Sequence, residues 1–225
     1  MKFTSDPASC PLCRISGQTT PVRGPDDRRY HLCGNCSVIF VEPPHHLPQA
    51  EERARYETHK NSIEDPGYVR HLNRLLHPML PHLDRTMRGL DYGSGPVPVL
   101  SLLVRQQGIV CDDYDPFFAD SPPRPPYDFV ISSECFEHFC DPAGEIGRIR
   151  PLLKPGGLLG IMTERWVSVD RFGSWHYPRD PTHVVFYHAD SFAFMCTRFG
   201  FATVWRDEIR VTILRRNEPG STKGS

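Results

Sequence analysis

GLDYGSGPVP, residues 89–98, ends the apolar run MRGLDY in two glycines one residue apart, then adds Pro-Val-Pro. A strand, a glycine turn and the helical stretch PVLSLLVRQQG together make the opening unit of an alternating α/β fold. The turn limits what that unit can hold. A phosphate loop needs Lys-Ser or Lys-Thr after its last glycine, and Pro96-Val97-Pro98 supplies neither. A dinucleotide turn needs a third glycine where Pro98 stands, so that free N–H groups at the helix start meet pyrophosphate. Proline has no N–H to give. Gly93 and Gly95 still permit close backbone approach, so the loop suits a cofactor that carries an adenosine and no phosphate.

The same alternation runs outward from the loop. IVCDDYD (109–115) and YDFVISS (127–133) read as the next two strands, AGEIGRIRPLL (143–153) as a helix and GGLLGIMT (156–163) as a fourth strand. DSFAFMCTRFG (190–200) reads as a last helix with Phe192, Met195, Cys196 and Phe199 inward and Gly200 as its stop. FATVWRD and IRVTILRR then form a closing antiparallel pair. Upstream, after a break at Asp65-Pro66-Gly67, Leu72, Leu75, Leu76, Met79 and Leu80 recur at helical spacing and predict an amphipathic helix from Tyr68. The expected fold is α/β, a Rossmann-like doubly wound, mostly parallel sheet with an antiparallel last strand. Ligands of such sheets sit at the carboxyl ends of the strands. Asp91 stands at one such end. Asp115, about one βα unit downstream, is placed to accept both hydroxyls of a ribose, with Asp113 as a second candidate; a cap on the turn before Pro116 is the structural alternative for Asp115.

The amino-terminal part follows another logic. Cys10 and Cys13 form CPLC, Cys33 and Cys36 form CGNC, and nineteen residues separate the pairs. This is zinc-ribbon spacing: two knuckle turns each present two thiolates to one tetrahedral ion, and four thiolates leave no place for water, so the zinc is read as structural. Five basic residues (Lys2, Arg14, Arg23, Arg28, Arg29) face four acids (Asp6, Asp26, Asp27, Glu42) over residues 1–50. That balance points to an architectural clip rather than a basic RNA-gripping finger. Over the whole chain of 225 residues, 26 Lys and Arg nearly balance 27 Asp and Glu, which gives no global field to draw nucleic acid or an anionic membrane. No run approaches the ~18–20 apolar residues of a membrane span. MKFTSDPASC lacks the apolar run of a secretory signal, so the expected compartment is the cytoplasm. The expected layout is a ribbon at 1–46, a helical connector and cofactor lid at 47–84, the main domain at 85–216 and a disordered tail at 217–225.

LDYGSGP, YDP at the second strand end, YDFVISSECFEHF and LLKPGGLLGIMT, in this order and spacing, resemble class I S-adenosylmethionine-dependent methyltransferases. The resemblance covers nearly the whole chain, including RYETHKNSIEDPGY. It is nearest to a small bacterial group that has an amino-terminal zinc ribbon and a segment similar to WHYPRDPTHVVFYHADSF. It implies that Asp91, Gly93 and Gly95 cradle the methionine part of the cofactor, with Ser94 between the glycines also cofactor-binding, that Asp115 holds the ribose, and that Ser133, Glu134 and their neighbours line the methyl end. Two departures stand out. Val97 occupies a position where family loops often have a further glycine, and the interval from Pro116 to Pro126, where many members place a helix and a strand, holds five prolines in eleven residues. Phe117 or Phe118 then provides an apolar wall in place of the usual adenine-contact aspartate.

A sulfonium methyl is already activated, so the protein must align the reactants, exclude water and take a proton where the acceptor needs it. Histidine suits that last task at neutral pH. WHYPRDPTHVVFYH, with His176, His183 and His188 beside Trp166, Trp175 and Tyr177, falls over the cofactor side of the sheet. His183 is the first candidate base and His176 the second, with Glu134 and His138 of SECFEHF as helpers. A second metal site from His176, His183, His138, Glu137 or Cys135 matches no ligand spacing. Tyr56, His59, Asn61 and Tyr68 are candidates to cover the cofactor. The expected function is methyl transfer to a small organic acceptor, with no nucleic-acid or membrane partner. The alternatives are an RNA-base methyltransferase that docks through Arg23, Arg28 and Arg29 of the ribbon, and a zinc-organised, cofactor-binding module without catalysis.

Overall fold

The computed structural model describes residues 8–58, 61–119 and 121–220; His59 and residues 221–225 of the expected tail lie outside them. The chain begins with three short antiparallel strands, β1 (Thr19–Val22), β2 (Tyr30–Cys33) and β3 (Ile39–Val41), followed by helices α1 (Gln49–Glu57) and α2 (Pro66–Met79). Asp65 caps α2 by accepting from Gly67 N, and Pro66 takes the first helical position, where a missing N–H is harmless. The α/β region then runs β4 (Arg88–Tyr92), α3 (Val99–Gln106), β5 (Val110–Tyr114), β6 (Tyr127–Ser133), α4 (Pro142–Leu152) and β7 (Leu153–Met162). It closes with α5 (Val169–Phe172), β8 (Val185–Phe186), α6 (Ala189–Phe199), β9 (Phe201–Arg206) and β10 (Val211–Arg216).

Six strands form one sheet in the order β5-β4-β6-β7-β10-β9. The first four are mutually parallel, and β10 pairs antiparallel with both β7 and β9, so the last strand alone runs against the rest. Alternation along β6 divides the core: Phe129 and Ile131 face α2 and α3, and Val130 faces α4, α6 and the amino-terminal strands. Helix α2 lies close on the sheet at Gly160, where a Cβ would come within 2.9 Å of Met79 Sδ. Among the described residues of the proline-rich stretch 116–126 there is no helix or strand, and β5 is left as one edge of the sheet. No helix among the described residues is long and apolar enough to cross a membrane.

The amino-terminal sheet has a fourth member that periodicity did not reveal. Its order is β1-β2-β3-β8, with Ile39 opposite Phe186 and Phe40 opposite Val185. Tyr30 packs edge-on to Phe172 at 5.4 Å and Trp166 Nε1 donates to Ser37 O at 3.1 Å. Cys10, Leu12 and Tyr30 thus share one buried cluster with Val130, Leu159 and Phe192 of the α/β region.

Candidate active site

Strands β4, β5 and β6 end at the same edge, and the loops that leave them enclose a cavity of about 720 Å³. On one wall Gly93 (φ 81°) and Gly95 (φ 67°) turn the chain out of β4 through the left-handed region that glycine enters without strain. Gly93 abuts Cys135: a Cβ there would lie 2.2 Å from Cys135 Sγ, whereas at Gly95 it would meet nothing within 4 Å. Tyr114 O accepts from the N–H groups of Gly93 and Ser94 at 2.8 and 3.1 Å. The Asp115 carboxylate accepts from Gly95 N and Phe117 N, both at 2.9 Å, so it caps its own turn and pins the glycine loop while lining the cavity. Asp113 is not part of the wall; it is paired with Arg105 at 3.1 Å and bonded to the Ser101 hydroxyl. Asp91 is buried and accepts from Ser101 N at 3.2 Å. Burial, and then the charge of Asp113, push its carboxyl up to about 7.

The opposite wall follows β6. Ser133 Oγ is buried with no hydrogen-bond partner among the described residues, and Glu134 holds φ 48°, a sparsely populated conformation for a non-glycine residue. Burial acts to raise the Glu134 carboxyl, but His71 Nε2 at 3.3 Å, the Tyr177 hydroxyl at 3.0 Å and Arg210 at 4.0 Å hold it below its usual value. Behind it Glu137, fully buried, accepts from Tyr177 Oη at 2.6 Å. Burial and the neighbouring Glu134 charge push the Glu137 carboxyl well up. His138 Nδ1 donates to Thr182 O at 3.1 Å and His183 Nδ1 donates to Tyr177 O at 2.8 Å. A carbonyl can only accept, so each Nδ1 carries the proton and each Nε2 of the neutral ring is a lone pair. Burial, and then the proximity of His183, bring His138 down to about 3, and burial lowers His183 as well.

The loop that carries His183 is held from the amino-terminal sheet. Arg28 donates to His183 O at 3.0 Å, to Pro181 O at 3.2 Å and to Pro178 O, and Arg29 pairs with Glu42. Tyr56 bonds Glu52 at 2.5 Å and sets its ring 5.6 Å from Phe117 and 5.2 Å from His138; Tyr68 and Phe118 also line the cavity. His176 is placed elsewhere. Its side chain is 73% exposed, with Nε2 3.9 Å from Glu164, and it does not reach the wall; Val97 does not reach it either. The residue that sequence reasoning undervalued is Tyr177, whose hydroxyl sits between two carboxylates from β6 onward and whose carbonyl fixes His183. His71 on α2 gave no signal beyond its helical spacing.

At the amino terminus the four Sγ atoms of Cys10, Cys13, Cys33 and Cys36 all lie within 4.8 Å of one another, with Cys10–Cys36 and Cys13–Cys33 each at 3.5 Å. A tetrahedral ion with Zn–S bonds of ~2.3 Å has sulfur–sulfur edges of ~3.8 Å, so the four residues fit such an ion with little movement.

A family model described as a methyltransferase domain matches residues 53–205. Among solved structures the chain is similar to 1,6-didemethyltoxoflavin-N1-methyltransferase of Burkholderia thailandensis, solved with 1,6-didemethyltoxoflavin and S-adenosylhomocysteine. The identity is 16% and the TM-score 0.56, over 88% of this chain and 99% of that one. It is similar also to magnesium protoporphyrin IX methyltransferase of Synechocystis, solved with S-adenosylhomocysteine, at 12% identity and TM-score 0.53, over 75% of this chain and 94% of that one. A third likeness is to the complex between the Haloferax volcanii Trm112 methyltransferase activator and a methyltransferase, at 15% identity and TM-score 0.55, covering 75% and 98% of the two chains. At these identities the likeness is one of fold. No curated protein matches the sequence.

Proposed function

The chain belongs to the methyltransferase-domain family, of the class I, S-adenosylmethionine-dependent type, and from that premise we propose that it methylates a small organic acceptor. The observation that carries this reading is the single cavity that runs from the glycine loop to the Glu134, His138 and His183 wall, of a size that suits a cofactor and a small ligand. S-Adenosylmethionine supplies a methyl group already activated on sulfur. The residues fit it: Gly95 opens on free space, Pro98 denies the loop a phosphate-binding N–H, and Asp91 offers a buried carboxyl to an ammonium group.

In this reading Asp91, Gly93, Ser94 and Gly95 hold the methionine part and Asp115 the ribose. Phe117 forms an apolar wall beside Tyr56, and Tyr68 covers the cofactor from α2. Ser133 Oγ, without a hydrogen-bond partner among the described residues, serves the methyl end. His183, with Nδ1 fixed by Tyr177 and Nε2 free, is the base for the acceptor's proton; Glu134 and His138 shape the pocket around it, and His176 is left outside that role. The four cysteines hold a structural zinc. Arg28 is spent on the loop that carries His183, which favours the ribbon as a clip over the ribbon as an RNA dock.

Calorimetry with S-adenosylmethionine tests the cofactor half: one site per chain is expected, weakened at least roughly tenfold by Asp115→Ala. Release of S-adenosylhomocysteine across a panel of small hydroxyl, amine and heteroaromatic acceptors tests the other half. Cofactor binding without turnover on that panel, together with turnover on RNA, would sink the small-acceptor reading.

A further inference from the structure

We propose that Glu137, His138 and His183 form a second metal site, for one divalent first-row transition ion, with its open positions facing the cavity. The three side chains come from two segments far apart in sequence, Glu137 and His138 after β6 and His183 before β8, which explains why linear spacing showed no ligand motif. Their ligand atoms all lie within 4.8 Å of one another. His138 Nε2 is 3.9 Å and His183 Nε2 is 4.0 Å from Glu137 Oε1.

Three observations point to a cation rather than to a self-contained polar cluster. Both imidazoles donate Nδ1–H to backbone carbonyls, Thr182 O and Tyr177 O, which fixes the tautomer that leaves Nε2 as a lone pair; metal-ligating histidines are oriented in this way. Glu137 Oε2 is buried with no partner among the described residues, an arrangement that is costly unless something positive completes it. The imidazole–carboxylate distances of 3.9 and 4.0 Å are too long for a proton on Glu137 to bridge. An ion bridges them: bonds of ~2.1 Å in tetrahedral geometry need ligand–ligand edges of ~3.4 Å, a closure within reach of small side-chain rotations.

The donor set also selects the class of ion. Two imidazole nitrogens and one carboxylate oxygen suit Mn, Fe, Co or Zn, in contrast to the thiolate set of the amino-terminal site. His138 and His183 line the cavity, so positions not filled by protein open toward the acceptor's place. There an ion can polarise an acceptor oxygen and take over the task given above to the His183 lone pair. That use rests on the methyl-transfer reading; binding of the ion does not.

The test uses the full chain with zinc in its cysteine site and Mn2+ as the probe, because thiolates do not favour manganese. Electron paramagnetic resonance titration should show one Mn2+ bound per chain, with electron spin-echo modulation from two imidazole nitrogens. Glu137→Gln and His183→Asn should each weaken binding roughly tenfold or more while zinc content and S-adenosylmethionine binding persist, which shows that the variants are folded. No Mn2+ bound by the wild-type chain at millimolar concentration, or bound Mn2+ without nitrogen modulation, overturns the proposal. Absent S-adenosylmethionine binding with Mn2+ bound would instead remove the methyl-transfer reading and leave the metal site standing.

Discussion

Asp91 carries a pH dependence whose sign follows from its burial. Its carboxyl titrates at 3.8 in an ordinary setting and at about 7 in the fold. A raised folded-state value means that the contribution to stability is complete below about pH 4 and is lost as pH rises through about 7. The unliganded protein should therefore lose stability from this group between about pH 4 and 7, and Asp91→Asn should raise Tm most at about pH 8, less at about pH 5 and little at about pH 4. If the proposed cofactor's ammonium meets the ionised form, affinity for S-adenosylmethionine should rise over the same interval and fall in Asp91→Asn, as calorimetry at several pH values would show. At Gly93 a methyl group would collide with Cys135 and force a strained φ. Gly93→Ala should cost about 1–3 kcal/mol in denaturant unfolding, and Cys135→Ala in the same chain should recover part of it. These residues were legible because the loop's requirements are local: glycines for the turn, and proline in place of an N–H. Tyr177 was not, since its two carboxylate partners reach it only through tertiary folding.

Strands and helices of the α/β region were legible for a related reason: each βα unit carries its own period and stop signals, such as Gly200 after α6. Even the short interval after β5 announced itself through its prolines. By contrast β8 is two residues, Val185 and Phe186, too short to show alternation, and it is a strand only because β3 lies beside it. Its side chains nevertheless join several parts of the molecule. Phe186 meets Phe172 edge-on at 5.2 Å and Trp175 edge-on at 6.0 Å, lies tilted to Tyr30 at 6.1 Å, and is fully buried. Phe186→Ala should cost about 3–5 kcal/mol, which at this chain length corresponds to a Tm lower by roughly 6–20 °C. The same substitution should loosen the His183 loop, read as faster hydrogen exchange at residues 182–184.

On the scale of the molecule, the amino-terminal sheet and the α/β sheet are joined by one buried cluster, by the Arg28 bonds to the His183 loop and by the β3–β8 pairing. If the four cysteines hold zinc, stripping the ion with a chelator should lower a single cooperative transition in calorimetry and weaken cofactor binding together with it. Two separate transitions, the upper one unchanged, would contradict that coupling. The pairing of Phe40 with Val185 also sets an order of events during synthesis. The amino-terminal strands leave the ribosome early, yet their partner strand is translated only after most of the chain. Until then β3 offers a bare edge with buried-type residues Ile39 and Phe40, the kind of edge that recruits other chains. Nascent chains that stall before residue 185 should collect in the insoluble fraction, and full-length yield should respond to chaperones that shield unpaired strands.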